Sequence, residues 1–126
     1  MTMKEQIATA KAPSAIGPYS QGVAAGDMVF VSGQLPLDPA TGEFPEGIAA
    51  QTAQALENMK AILAEKGMTL DNVVKTTVFL ADLNDFVAMN EVYGKYFAQP
   101  YPARSAIQVA KLPKNAPLEI ECIAVK

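Results

Sequence analysis

The chain has 126 residues, 50% of them hydrophobic and 18% charged, with a formal net charge of -3 and a pI near 4.9. That length suits a single domain, residues 1–126, able to bury its own core, and the acidic balance argues against a general binder of phosphate backbones. His is missing and Cys122 is the one cysteine, so imidazole acid–base chemistry and an intrachain disulfide are both excluded.

The opening "MTMKEQIATAKAPSA" lacks the apolar stretch of a signal peptide, and no apolar run approaches the ~18 residues of a membrane span. A soluble protein of the reducing cytoplasm is expected. "EQIATA" reads as a short first strand, followed by a Pro- and Gly-rich loop, "KAPSAIGPYSQ". "GVAAGDMVFVSGQLPLD" reads as a hairpin turning at Gly26-Asp27, and "DPATGEFPEG" is turn chemistry throughout. From Ile48 to Lys66 the residues Ile48, Thr52, Ala55, Leu56, Met59, Ile62 and Leu63 recur at three- and four-residue spacing, which predicts an amphipathic helix stopped by Gly67. "NVVKTTVFLAD" is dense in β-branched residues and predicts a strand. In "LNDFVAMNEVYGKYFAQP" a stripe of Phe86, Met89, Tyr93 and Phe97 predicts a second helix, capped by Asn84 or Asp85 and finished by Pro100. "RSAIQVA" and "LEIECIAV" are the last two strands, joined by "KLPKNAP".

The order β-β-β-α-β-α-β-β predicts an α+β two-layer sandwich, with both helices on one face of a single sheet. Alternation in the last strand sends Leu118, Ile120, Cys122 and Ala124 one way and Glu119, Glu121, Ile123 and Val125 the other. Both faces are apolar, so the face without helices is expected to bury against partner subunits. Arg104 shares a face with the small Ala106, which leaves room beside a planar cation suited to bidentate capture of a carboxylate. That carboxylate is either a protein side chain, in a structural ion pair, or a ligand. If the last two strands formed a hairpin, Val109 would oppose Glu119 and Arg104 would lie roughly 17 Å away, beyond side-chain reach. Either the two strands are not neighbours, or Arg104 and Glu119 meet across a subunit boundary.

"PARSAIQVAKLPKNAPLEIECIAV" resembles the C-terminal signature of the RidA/YjgF family of reactive intermediate deaminases. The likeness continues through "AIGPYSQGV", "VFVSGQLPLDPATGE", "QTAQALENMKAILAEKG" and "VVKTTVFLADLNDFVAMNEVYGKYF", in collinear order along nearly the whole chain. The resemblance implies a chorismate-mutase-like fold with a mixed sheet of about six strands, assembled as a homotrimer with ligand clefts between subunits. It implies cofactor-free, metal-free hydrolysis of 2-enamine and 2-imino acids (2-aminoacrylate with 2-iminopropanoate, and 2-iminobutanoate) to 2-keto acids and ammonia.

Carried onto this sequence, the resemblance makes Arg104 the carboxylate-binding arginine and Glu119 the acid that holds and polarises the attacking water. Tyr19 becomes the cleft tyrosine, Ser32 and Gly33 the segment whose backbone approaches the ligand, and Asn90 an asparagine at the cleft rim. Each also has a plainer reading: Glu119 as a structural acceptor, Tyr19 as a packing anchor, Ser32-Gly33 as a bulge or strand end, Asn90 as a helix residue holding loops. The chain departs from many relatives at Ala106, where a Cys commonly follows the "RS". The family uses that position through its backbone carbonyl, which alanine retains. The "FAQPYPARS" connection before the strand is short, with Tyr101 ahead of "PAR", and bears on substrate size. Against the enzyme stand a trimeric binder of small carboxylates, which needs Arg104 and not Glu119, and an RNA-directed activity, which the acidic pI and missing His disfavour. No nucleic-acid or membrane partner is expected.

Overall fold

The last strand alternates buried and accessible side chains along its whole length, and the sheet is built around it. In the computed structural model, which describes residues 3–126, the strands are β1 (Lys4–Ile7), β2 (Gly22–Ala25), β3 (Met28–Gln34), β4 (Val73–Leu80), β5 (Ala103–Gln108) and β6 (Leu118–Val125). The helices are α1 (Ile48–Ala64) and α2 (Phe86–Tyr96). Six strands form one sheet in the order β1-β2-β3-β6-β4-β5, antiparallel except for the β4–β5 pair. This is the α+β arrangement expected, with a mixed sheet and two helices.

The β2–β3 hairpin turns on Gly26 and Asp27, with Gly26 at φ 60, a conformation glycine takes without strain. Helix α1 stops at Ala64, two residues short of the expected Lys66, because Gly67 (φ 68) turns the chain left-handed and Met68 N–H bonds back to the Leu63 carbonyl at 3.1 Å. The start of α2 also differs from expectation. Asp82 is the capping residue: its carboxylate accepts from Asn84 N–H at 2.9 Å and opens a 3-10 turn, Leu83–Asp85. Asp85 makes no side-chain cap on α2 itself.

Leu56, Met59, Ile62 and Leu63 of α1 and Met89 of α2 pack on Val78, Leu80, Leu118 and Ile120 of the sheet, all fully buried. Cys122 lies on this helix-covered face, and burial pushes its thiol up to about 12, so it is an inert core residue. On the other face Met28, Phe30 and Ile107 stay 38%, 41% and 47% exposed, the two-sided apolarity read from β6. No helix among the described residues is long and apolar enough to cross a membrane.

One placement governs everything that follows. Strand β4 lies between β5 and β6, so the strands carrying Arg104 and Glu119 are not neighbours.

Candidate functional site

A β-bulge creates one half of the site. Between Val31 and Gln34 strand β3 carries one residue more than its partner β6, and the extra residue falls at Ser32-Gly33. The bulge, the opening of β6 and the loop before β2 enclose a cleft of about 930 Å³, lined among others by Tyr19, Ser32, Gly33, Lys114, Glu119 and Glu121. Glu119 is half-buried there, and its carboxyl is raised above the usual glutamate range, first by burial and then by the neighbouring charge of Glu121. Glu121 sits two residues along, on the same face of the strand.

Gly33 is the floor under that carboxyl. A Cβ at this position would lie 2.6 Å from Glu119 Cδ and Oε2. Because the obstructing group is the end of a mobile side chain and not backbone, Gly33→Ala is expected to fold with its thermal midpoint little changed and to displace the Glu119 carboxyl instead. If that carboxyl takes part in turnover, the signature is a fall in kcat of about 10²-fold, the cost of misplacing a reacting group, with ligand affinity held within a few fold. Equal losses of both would show that Gly33 serves binding alone.

The loop that carries Tyr19 is tied down by a residue that sequence reasoning missed. Gln21 is buried, and its Nε2 donates to the carbonyls of Pro13 (2.7 Å), Thr9 (3.1 Å) and Ala12 (3.3 Å), while its Oε1 accepts from Thr9 N–H at 2.7 Å. No periodicity marks a glutamine in "PYSQG"; only the folded loop reveals its use. Ser32 fastens the same loop from the sheet side. Its hydroxyl donates to the Ser20 carbonyl at 2.6 Å, its N–H donates to Gln21 O at 2.9 Å, and its own carbonyl accepts from Gln34 Nε2 at 3.0 Å. Ser32 thus braces this loop, and Gly33 is the member of the pair that the Glu119 carboxyl approaches closely. Tyr19 is half exposed (52%) and belongs to the cleft, not to the core.

Arg104, Ala106 and Asn90 form a second group elsewhere. Arg104 pairs in register with Thr76, which pairs with Cys122, whereas Glu119 pairs with Phe79. Alternation therefore puts Arg104 on the helix-covered face and Glu119 on the open one. The two Cα atoms lie about 14 Å apart, two strand spacings across and three residues along. The Arg104 guanidinium donates to Asn90 Oδ1 at 2.7 Å, and its carbon lies 4.7 Å from the Tyr93 ring centre and 5.4 Å from that of Phe86. Among the described residues no carboxylate pairs with it, in contrast to Lys60, paired with Glu57, and Lys66, paired with Glu5. The internal salt bridge is thus ruled out as the reason for this arginine. Ala106 follows on the same side of β5, half-buried, and β5 is an edge strand with backbone groups that face away from β4.

Charge separates the two halves. The cleft holding Glu119 is lined by three acids, Asp38, Glu119 and Glu121, and by one base, Lys114. Lys114 and Asn115 both stand at φ 56, a left-handed conformation uncommon outside glycine, in the loop that forms the rim. Nothing in "KLPKNAP" beyond its asparagine signals that geometry.

The endoribonuclease L-PSP family model matches residues 9–126. The chain is 54% identical to a RutC family protein of Pyrococcus horikoshii, over 98% of this chain and 99% of that one. It is 50% identical to the 2-iminobutanoate/2-iminopropanoate deaminase of Escherichia coli, again over 98% and 99%. Among solved structures, that of Escherichia coli TdcF with bound serine superposes with a TM-score of 0.93 at 52% identity, covering 97% of this chain and 98% of the other.

Proposed function

The chain belongs to the endoribonuclease L-PSP family, the RidA/YjgF family its motifs resemble, and from that premise we propose that it is a cofactor-free deaminase of short 2-imino acids working as a homotrimer. The observation that carries this reading is the separation of Arg104 from Glu119, by a strand and onto opposite sheet faces. One small ligand cannot touch both within a protomer. A second copy laid against the open apolar face, where Phe30 and Ile107 are exposed, brings the arginine of one subunit to the acidic cleft of the next.

In such a composite site the Arg104 fork holds the substrate carboxylate and fixes C2 of the imine within reach of Glu119. Water adds to C2 and the carbon–nitrogen double bond becomes single. The proton shed by water passes through the Glu119 carboxyl to the nitrogen. As the adduct collapses, the Glu119 carboxyl carries the hydroxyl proton to the nitrogen, the carbon–nitrogen bond breaks and the C2 carbonyl forms, releasing ammonia and leaving the 2-keto acid. A carboxyl raised above its usual range suits this proton relay, because both its forms are populated nearer neutral pH. The Ala106 carbonyl on the edge strand is the acceptor for the imine N–H, and Tyr19 closes the cleft over the adduct.

The family's name points to a second reading, RNA cleavage. Three acids against one base in the cleft would repel a phosphodiester, and the chain has no His to act as base. The deciding experiment generates 2-aminoacrylate and 2-iminobutanoate with a dehydratase and follows 2-keto acid release with and without this protein. Release well above the spontaneous rate is expected, with no cleavage of RNA in a parallel assay. Unchanged release together with retained pyruvate binding would leave a carboxylate-binding protein without turnover.

A further inference from the structure

One stripe of α2 is devoted to a single guanidinium. Phe86, Asn90 and Tyr93 stand four and three residues apart, on successive turns, and all three touch Arg104. Tyr93 cannot shift: it is 4% exposed, its ring packs on Phe97 with centres 4.5 Å apart, and its hydroxyl shares a 2.7 Å hydrogen bond with Thr76 Oγ1. Thr76 is in turn the register partner of Arg104 on the adjacent strand. The contacts therefore close a ring: Arg104 pairs with Thr76 through the backbone, Thr76 holds Tyr93, and Tyr93 carries the Arg104 side chain.

A buried hydroxyl pair contributes little to stability beyond what Val and Phe of the same shape would supply. What the pair adds is orientation, since it fixes how far and at what angle the Tyr93 ring enters the space beneath the arginine. The partners it gives the cation are two ring faces and an amide oxygen. All are neutral, so the charge is held in place without being cancelled. We infer that Tyr93 and Phe86 are positioning residues for Arg104, with Tyr93 locked by Thr76, and that they set the plane in which the guanidinium meets a carboxylate. This rests on the reading of Arg104 as the substrate's carboxylate fork.

The test compares binding of pyruvate with binding of pyruvamide, which has the same skeleton without the charge, to the intact protein by titration calorimetry. Tyr93→Leu is expected to weaken pyruvate about tenfold, as for a misplaced or unstacked fork, and to leave pyruvamide within about twofold. Phe86→Leu, at a half-buried position, is expected to weaken pyruvate about threefold with the same selectivity, and it carries the test if Tyr93→Leu does not fold. Equal losses for the two ligands, or none, overturn the inference, since general loosening has no reason to single out the carboxylate. Arg104→Ala measured alongside separates the two levels. If preference for pyruvate survives that substitution, the carboxylate fork itself is wrong. If it vanishes there and persists in Tyr93→Leu or Phe86→Leu, only the positioning role fails.

Discussion

Arg104→Lys is expected to lose almost as much turnover as Arg104→Ala, about 10²- to 10⁴-fold in kcat/KM, although it keeps the positive charge. Each charge-assisted hydrogen bond contributes roughly 1.5–3 kcal/mol, and about 1.4 kcal/mol is tenfold in rate, so loss of a two-pronged grip gives that range. A lysine ammonium is a point charge on a flexible stem. It can neither lie flat on the Tyr93 and Phe86 rings nor offer two parallel N–H groups to a carboxylate. The fold should tolerate either change, because Arg104 is only half-buried and what is lost is stacking worth about 1 kcal/mol, a shift of a few degrees in the thermal midpoint. Steady-state kinetics in the dehydratase-coupled assay, with thermal unfolding as control, gives the answer. A lysine variant with near wild-type turnover would mean that charge alone suffices and that the geometry around the guanidinium is incidental.

The helices and the alternation of the last strand were legible because each is a local pattern with its own period. Ile48 to Leu63 betrays α1, and Leu118 to Ala124 betrays the buried side of β6. That Arg104 and Glu119 cannot pair across a simple hairpin was legible too, since a seven-residue connection and a strand rise fix how far apart a hairpin would hold them. What the sequence could not supply is β4 as the strand between them, because that depends on a parallel crossover through α2 whose partner is chosen by packing and not by any neighbouring residue. The supporting residues were hidden for a related reason. Tyr93 reads as one more apolar position of a helical stripe, and its hydrogen bond to Thr76 exists only once β4 and α2 are stacked. Gln21 and Lys114 lie in loops, where periodicity is silent. Asn90 was identified through family likeness as a rim residue; the fold shows it holding the arginine.

Glu119→Gln is the complementary change, and it should divide binding from chemistry. The amide keeps the size and hydrogen-bonding reach of the carboxyl and loses the proton relay, so turnover should fall about 10²- to 10³-fold, while affinity for pyruvate stays within a few fold. The sign of the accompanying stability effect follows from the raised carboxyl. Below the ordinary glutamate value, both the folded and the unfolded chain carry a neutral Glu119, and the carboxyl imposes no penalty. As pH climbs through the raised folded value, the folded state must hold a charge disfavoured by burial and by Glu121, whereas the unfolded chain ionised earlier at no cost, so stability drains away with rising pH. An uncharged amide in that place carries no such burden. The variant should therefore match the parent below the ordinary glutamate value and exceed it in thermal stability once pH has climbed past the raised folded value, even as it fails to turn over imine. A variant less stable than the parent at every pH would identify Glu119 as a structural acceptor whose ionised form the fold requires, and the acid in the proposed relay would have to be sought at Glu121.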